Sequence, residues 1–150
     1  MIAPTPALAT LYTDLQNRFG FASVEDALSG RGFANIHAVI SGLDTPLNSH
    51  DILADPAAPQ TQQTIALFRD LLARVTANLA LSTLPHGGIY FVGGLAVALG
   101  ADLQDPAFMQ AYGDKGRFSD YVKQFPIHVV EDDDTALMGC ATHIARVMKT

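Results

Sequence analysis

The chain has 150 residues, 49% apolar and 16% charged, with a mean hydropathy of +0.20, which fits one domain around a single core and excludes a disordered chain. Nine Lys and Arg against fifteen Asp and Glu give a net charge of −6 and a pI of about 5.1, the wrong balance for gripping a nucleic-acid backbone. A single cysteine, Cys140, a start without the pattern of a signal peptide and no apolar run of about 18 residues point to a soluble cytoplasmic α/β domain with no membrane partner.

Residues 6–19 read as a helix: Leu8, Leu11, Tyr12, Leu15 and Phe19 recur at helical spacing, Thr5 is placed to cap, Pro6 suits the first helical position and Gly20 stops it. Ser23 with Asp26 three residues on reads as a capping box that opens a short second helix ending near Ser29 and Gly30. A third helix is expected over about 32–41, with Phe33, Ile36 and Ile40 on one side. Residues 43–60, punctuated by Pro46, Pro56 and Pro59, read as loop with at most a short helical turn.

A long helix follows over about 61–83, closed by Pro85. Ile65, Phe68, Leu72, Val75 and Leu79 form one stripe, Leu67, Leu71 and Leu81 add apolar groups elsewhere, and Ala66, Ala73, Ala77 and Ala80 allow close packing. A helix apolar on most sides belongs inside a larger body. Residues 88–92 read as a buried strand, broken by Gly93 and Gly94 before a helical piece over 95–99. Asp105 is placed to cap a helix beginning at Pro106, residues 118–124 suggest another short helix, and 127–130 a second strand. A terminal helix runs from about 136 to 148. Two short strands make a poor sheet alone, so the chain reads as part of a larger α/β protein.

Few residues carry chemistry on their own. His37, His50, His86, His128 and His143 are far apart with no metal-ligand spacing, and Asp132, Asp133 and Asp134 suit the start of the last helix better than a cation. Cys140, among Met138, Gly139 and Ala141, reads as a small buried residue, and His37 as structural or solvent-facing. The strand–Gly93–Gly94–helix unit lets backbone approach a ligand, although tight packing explains it equally well, and neither G-x-G-x-x-G nor G-x-x-x-x-G-K-[ST] is present. Glu25 falls in the first turn of the capped helix, where a carboxylate is favourable for structural reasons. The same group could accept two hydrogen bonds from sugar hydroxyls.

The runs FASVEDALSGRGFANIHAVI, ALFRDLLARVTANLAL, HGGIYFVGGLAVALG, DKGRFSDYVKQFPIHVV and ALMGCATHIARV, in unbroken order over most of the chain, resemble the carboxyl-terminal part of the bacterial glucokinase family, proteobacterial type. The most specific pieces are SVEDALSGRG, GGIYFVGG and DKGRFSDYV. The resemblance implies a ribonuclease H-like, actin-like ATPase fold of the sugar-kinase/actin/heat-shock ATPase superfamily. Residues 1–150 would form a single, incomplete carboxyl-terminal (large) domain, helix-rich with few strands of a mixed sheet, without the amino-terminal domain.

It also implies ATP-dependent phosphorylation of glucose to glucose 6-phosphate as the parent activity, with ATP and Mg²⁺ used by that enzyme, glucose or a similar hexose as partner, and a homodimer. Glu25 would contact the sugar hydroxyls, Gly93 and Gly94 would hold adenosine, and the segment 135–139, including Thr135, Ala136 and Gly139, would approach the nucleotide. Where the family carries Gly-Ser-Gly this chain has Gly139, Cys140 and Ala141, and Thr135 and Ala136 stand in place of Pro-Gly. The family's Asp-Gly-Gly-Thr-like phosphate loop, aspartate base, second phosphate-binding glycine turn and E-G-G-H segment do not occur in these 150 residues, so the isolated chain is expected to be catalytically incomplete. The rival expectations are a truncated domain acting as a binding or oligomerisation module, and a kinase or regulator for another hexose.

Overall fold

The computed structural model describes residues 5–132 and 134–148; Asp133, from the acidic triplet, lies outside the described residues. Helix α1 (Pro6–Phe19) has the caps its sequence dictates. Thr5 Oγ1 accepts from Leu8 N at 3.3 Å, and Gly20, at φ 75, turns the chain out while its N–H bonds Gln16 O. Leu8, Leu11 and Leu15 are buried, whereas Tyr12 and Phe19 face outward.

The helix expected after Ser23 is a single turn. Its capping box forms: Ser23 N and Oγ donate to Asp26 Oδ2 at 3.2 and 2.6 Å, and Asp26 N donates to Ser23 Oγ at 3.1 Å. A second cap follows only six residues later, because Ser29 Oγ accepts from Gly32 N at 2.9 Å and opens α2 (Gly30–Ser41). Two N-caps that close leave room for one turn. Glu25 therefore lies in an isolated turn rather than at a helix start, and α2 begins two residues earlier than its apolar pattern indicates.

Asn48 caps α3 (Ser49–Leu53), the short helical turn within the proline-punctuated segment. Pro59 opens the central helix α4 (Pro59–Thr83), two residues before the expected start. Helix α4 packs on α2 at one side and on α7 (Pro106–Tyr112) at the other. Phe33 of α2 meets Phe68 of α4 edge-on at 5.5 Å, both buried. The buried stripe runs through Thr61, Thr64, Ile65 and Phe68 to Ala73, Thr76, Ala77 and Ala80. Ala73, Ala77 and Ala80 are the close-packing alanines; Ala66 is exposed. Leu79 is exposed as well, so the far end of the leucine stripe is uncovered.

Strands β1 (Ile89–Phe91) and β2 (Ile127–Val129) pair in parallel, with Ile89 opposite Ile127 and Phe91 opposite Val129. These four side chains pack on the core. On the other face Tyr90 stacks on His128 at 4.9 Å, and Tyr90 and Val92 are exposed. The strand expected to be buried is thus covered on one face only. Between the strands run α5 (Gly94–Ala98), α6 (Gly100–Leu103), α7, a 3-10 turn (Gly116–Phe118) and α8 (Ser119–Val122). Phe91 reaches Phe108 of α7 edge-on at 6.1 Å, joining sheet and helices in one core.

The last helix, α9 (Thr135–Val147), buries none of its residues. Leu137, Met138, Ile144 and Val147 are all exposed, and so is Cys140, contrary to its expected burial. No helix among the described residues is long and apolar enough to cross a membrane.

Candidate functional site

The carboxyl end of β1 delivers the chain to Gly93, whose φ of +109 only glycine adopts without strain. A Cβ at Gly93 or Gly94 would meet nothing within 4 Å, so crowding does not demand the pair. Conformation requires Gly93, and both residues front open space. That space is a cleft of about 430 Å³, whose opposite wall is formed by Leu28, Ser29 and Gly30 at the start of α2 and by Ser49 of α3. Phe68, Phe91 and Leu95 supply its apolar surface. No charged side chain lines it among the described residues.

Ser29 ties this cleft to Glu25. Its hydroxyl donates to Glu25 O at 2.8 Å while accepting from Gly32 N, so the Glu25 turn and the α2 start move as one piece. The turn is anchored from below by Asn35, buried on α2, whose Nδ2 donates to Asp26 O at 2.9 Å. Hydrogen bonds from the Ser23 hydroxyl and then its amide hold the Asp26 carboxyl below its usual range; burial opposes them, and the Arg31 charge adds the smallest lowering contribution. The Glu25 carboxylate itself is exposed, with Arg31 Nη2 3.7 Å from Oε1.

Gly93 and Gly94 are therefore brought against the segment that carries Glu25. Thr135, Ala136 and Gly139 lie in the first turns of α9 and are not among the residues lining the cleft. Sequence reasoning missed Ser29, Gly30 and Ser49 as cleft residues. Ser29 and Gly30 were read as the end of a helix rather than the cap of α2, their facing the glycine turn is a tertiary fact, and Ser49 lies in a stretch whose prolines signal only loop. No group of three or more His, Cys, Asp or Glu converges among the described residues.

A second polar cluster fastens the segment leading to β2. Arg74 Nε donates to both Asp70 oxygens at 3.0 Å, and Arg74 Nη1 lies 3.0 Å from Asp114 Oδ2. Lys115 Nζ donates to Asn78 Oδ1 at 2.9 Å and to Arg74 O at 3.2 Å, which gives Asp114 and Lys115 of the Asp-Lys-Gly-Arg stretch a structural role. Burial, and then the neighbouring Arg74 charge, push the Lys115 amine down from its ordinary value while Asp114 opposes them.

The chain is 34% identical to the glucokinase of Aromatoleum aromaticum over 149 residues, which cover 95% of the chain and 45% of that protein. It is also 34% identical to the glucokinase of Hahella chejuensis over 134 residues, covering 85% of the chain and 42% of the relative. A crystal structure of glucokinase from an Antarctic psychrotroph superposes with a TM-score of 0.83 at 26% identity, over 96% of this chain and 47% of that one. The chain thus spans less than half the length of the curated relatives it matches. The helix-rich arrangement with its small parallel sheet is the sugar-kinase/actin-like ATPase fold seen in that structure. The glucokinase family profile matches residues 2–147, nearly the whole sequence, and the chain belongs to the glucokinase family.

Proposed function

We propose that these residues are the carboxyl-terminal part of a glucokinase, contributing portions of its sugar and nucleotide sites to ATP-dependent phosphorylation of glucose. The observation that carries the reading is the uncharged cleft between the Gly93–Gly94 turn and the Ser29–Gly30 segment, in a chain of this family. Its apolar walls and open glycine backbone fit the adenosine end of a nucleotide. Its lack of charged lining leaves the phosphates and Mg²⁺ to groups outside it. Bound ATP with Mg²⁺ would supply the γ-phosphoryl group; Gly93 and Gly94 would give adenosine a close backbone approach, and the Thr135, Ala136 and Gly139 segment would border the nucleotide from α9. Glu25, exposed on a turn anchored by Asp26, would accept hydrogen bonds from the hexose hydroxyls and orient the sugar.

Positioning and charge stabilisation dominate phosphoryl transfer, and a base must take the hydroxyl proton. The aspartate base and the phosphate loop that the family resemblance implies do not occur in these 150 residues, so the chain is expected to bind without turnover. Calorimetric titration with glucose and with ATP·Mg²⁺, beside a coupled phosphorylation assay, tests this. Saturable glucose binding lost in Glu25→Ala, with no turnover, is the expected result. Ordinary kinase turnover by these 150 residues would overturn the incomplete-site reading, and no binding at millimolar glucose would overturn the sugar-site reading.

A second reading is an oligomerisation module, including a homodimer. Its support is apolar surface: the exposed Leu137, Met138, Ile144 and Val147 of α9, and a groove of about 410 Å³ lined by Leu8, Leu11, Tyr12, Val24 and Leu71. Light scattering decides it, a monomer at all concentrations being the refuting outcome. Discrimination between glucose and another hexose is read from the same titrations run with epimers.

A further inference from the structure

We propose that Arg31 is a positioning residue that presents the Glu25 carboxylate to a hexose. The inference rests on the reading of Glu25 as a sugar-binding group and goes beyond it, to the device that orients that group. One guanidinium nitrogen, Arg31 Nη2, faces two carboxylates: it lies 3.4 Å from Asp26 Oδ1 and 3.7 Å from Glu25 Oε1. The two carboxylates differ in how firmly they are held. Asp26 is fixed on three sides, by Ser23 N and Oγ on its other oxygen and by buried Asn35 on its carbonyl. Glu25 has its side chain 78% exposed, and among the described residues its carboxylate has this ion pair and no hydrogen bond. Asp26 therefore draws the guanidinium of Arg31, itself 66% exposed, to the turn, and Arg31 restrains Glu25.

The 3.7 Å separation is beyond hydrogen-bond reach, so the charge attracts the carboxylate without occupying its lone pairs. A carboxylate offers about four acceptor sites on its two oxygens, and these stay open to sugar hydroxyls. A free glutamate side chain loses rotamer freedom when ordered. A restraint present before the ligand arrives removes part of that loss from the binding step. The positive charge of Arg31 also offsets the crowding of two adjacent negative side chains in one turn.

The test uses the 150-residue chain with glucose as the probe, in wild type, Arg31→Ala, Arg31→Lys and Glu25→Gln. Arg31→Ala is expected to weaken glucose binding about two- to fivefold, the range of an exposed ion pair, with ATP·Mg²⁺ binding and melting temperature unchanged. Arg31→Lys should recover part of the loss, and added salt should shrink the difference between wild type and Arg31→Ala, because the pair is exposed to screening. The order of the Glu25 side-chain methylenes, followed by NMR relaxation without ligand, should fall in Arg31→Ala. Unchanged order of the Glu25 side chain in Arg31→Ala, or unchanged glucose affinity in Arg31→Ala beside a loss in Glu25→Gln, overturns this proposal and leaves the sugar site standing. Glucose affinity unchanged in Glu25→Gln, or absent in wild type, overturns the sugar-site reading and this proposal with it.

Discussion

Replacing Gly32 by alanine sets two effects of opposite sign against each other. Gly32 is the third residue of α2, and in a helix interior the exchange gains about 1 kcal/mol from propensity. A Cβ at this position would run into the carbonyl carbon, oxygen and Cα of Ala27, all of them backbone. Relief requires the Glu25 turn to shift against α2, to which Asn35 and Ser29 tie it. Overpacking costs typically about 1–3 kcal/mol, and the upper end applies because backbone cannot rotate away as a side chain does. Net of propensity, Gly32→Ala should lose about 2 kcal/mol, which for a domain of this length lowers the melting temperature by about 4–8 °C. Gly30→Ala, two residues earlier, is the control: its Cβ meets only Ser49 Oγ at 3.9 Å, an ordinary contact, so stability should stay within about 0.5 kcal/mol. Calorimetry and urea unfolding of both variants give the answer. A Gly32→Ala protein as stable as wild type or more so refutes the close approach of the turn to α2.

A double-mutant cycle on Arg74 and Asp114 should return a coupling of about 0.5–1 kcal/mol in urea unfolding, since Asp114 is well exposed although Arg74 is not. Arg74→Ala alone should cost more than Asp114→Ala, because it also leaves Asp70 and its two hydrogen bonds without a partner. His37 is buried on α2, and burial holds its folded pKa below the ordinary 6.5. The unfolded chain then binds the proton more readily, so this contribution to stability is whole above the unfolded pKa and falls as pH drops through about 6.5. Thermal melts from about pH 7.5 down to about pH 5 should show that decline in wild type and a flatter one in His37→Gln; equal slopes would exclude His37 as its source.

What could be read from the residues was mostly what neighbours in sequence decide. Thr5, Pro6 and Gly20 bound α1 where expected because capping is a local transaction of side chain and backbone. The Ser23 and Asp26 box also formed as read, yet the helix it should have opened was cut off by the Ser29 cap, a competition that periodicity does not register. The leucine stripe of α4 named Ile65 and Phe68 correctly and Leu79 wrongly, because α2 and α7 select its alanine- and threonine-bearing side. Cys140 was expected inside from its small apolar neighbours, but burial depends on what a helix packs against, and α9 offers its residues to solvent. In the cleft, Gly93 and Gly94 stood out by composition, whereas Ser49 becomes visible only once the chain has folded over them.

The parallel pairing of β1 with β2 has a kinetic consequence. Ile89 and Ile127 sit at opposite ends of a crossover holding four short helices, so their register cannot close like that of a hairpin. Loop-closure entropy must be met before the few ladder hydrogen bonds form, whereas α1, α2 and α4 meet through shorter connections. On this reasoning the sheet is expected to form after the helices collapse. Tyr90, stacked on His128 across the two strands, sits where that last step happens, so its ring reports the finished register rather than the hidden core.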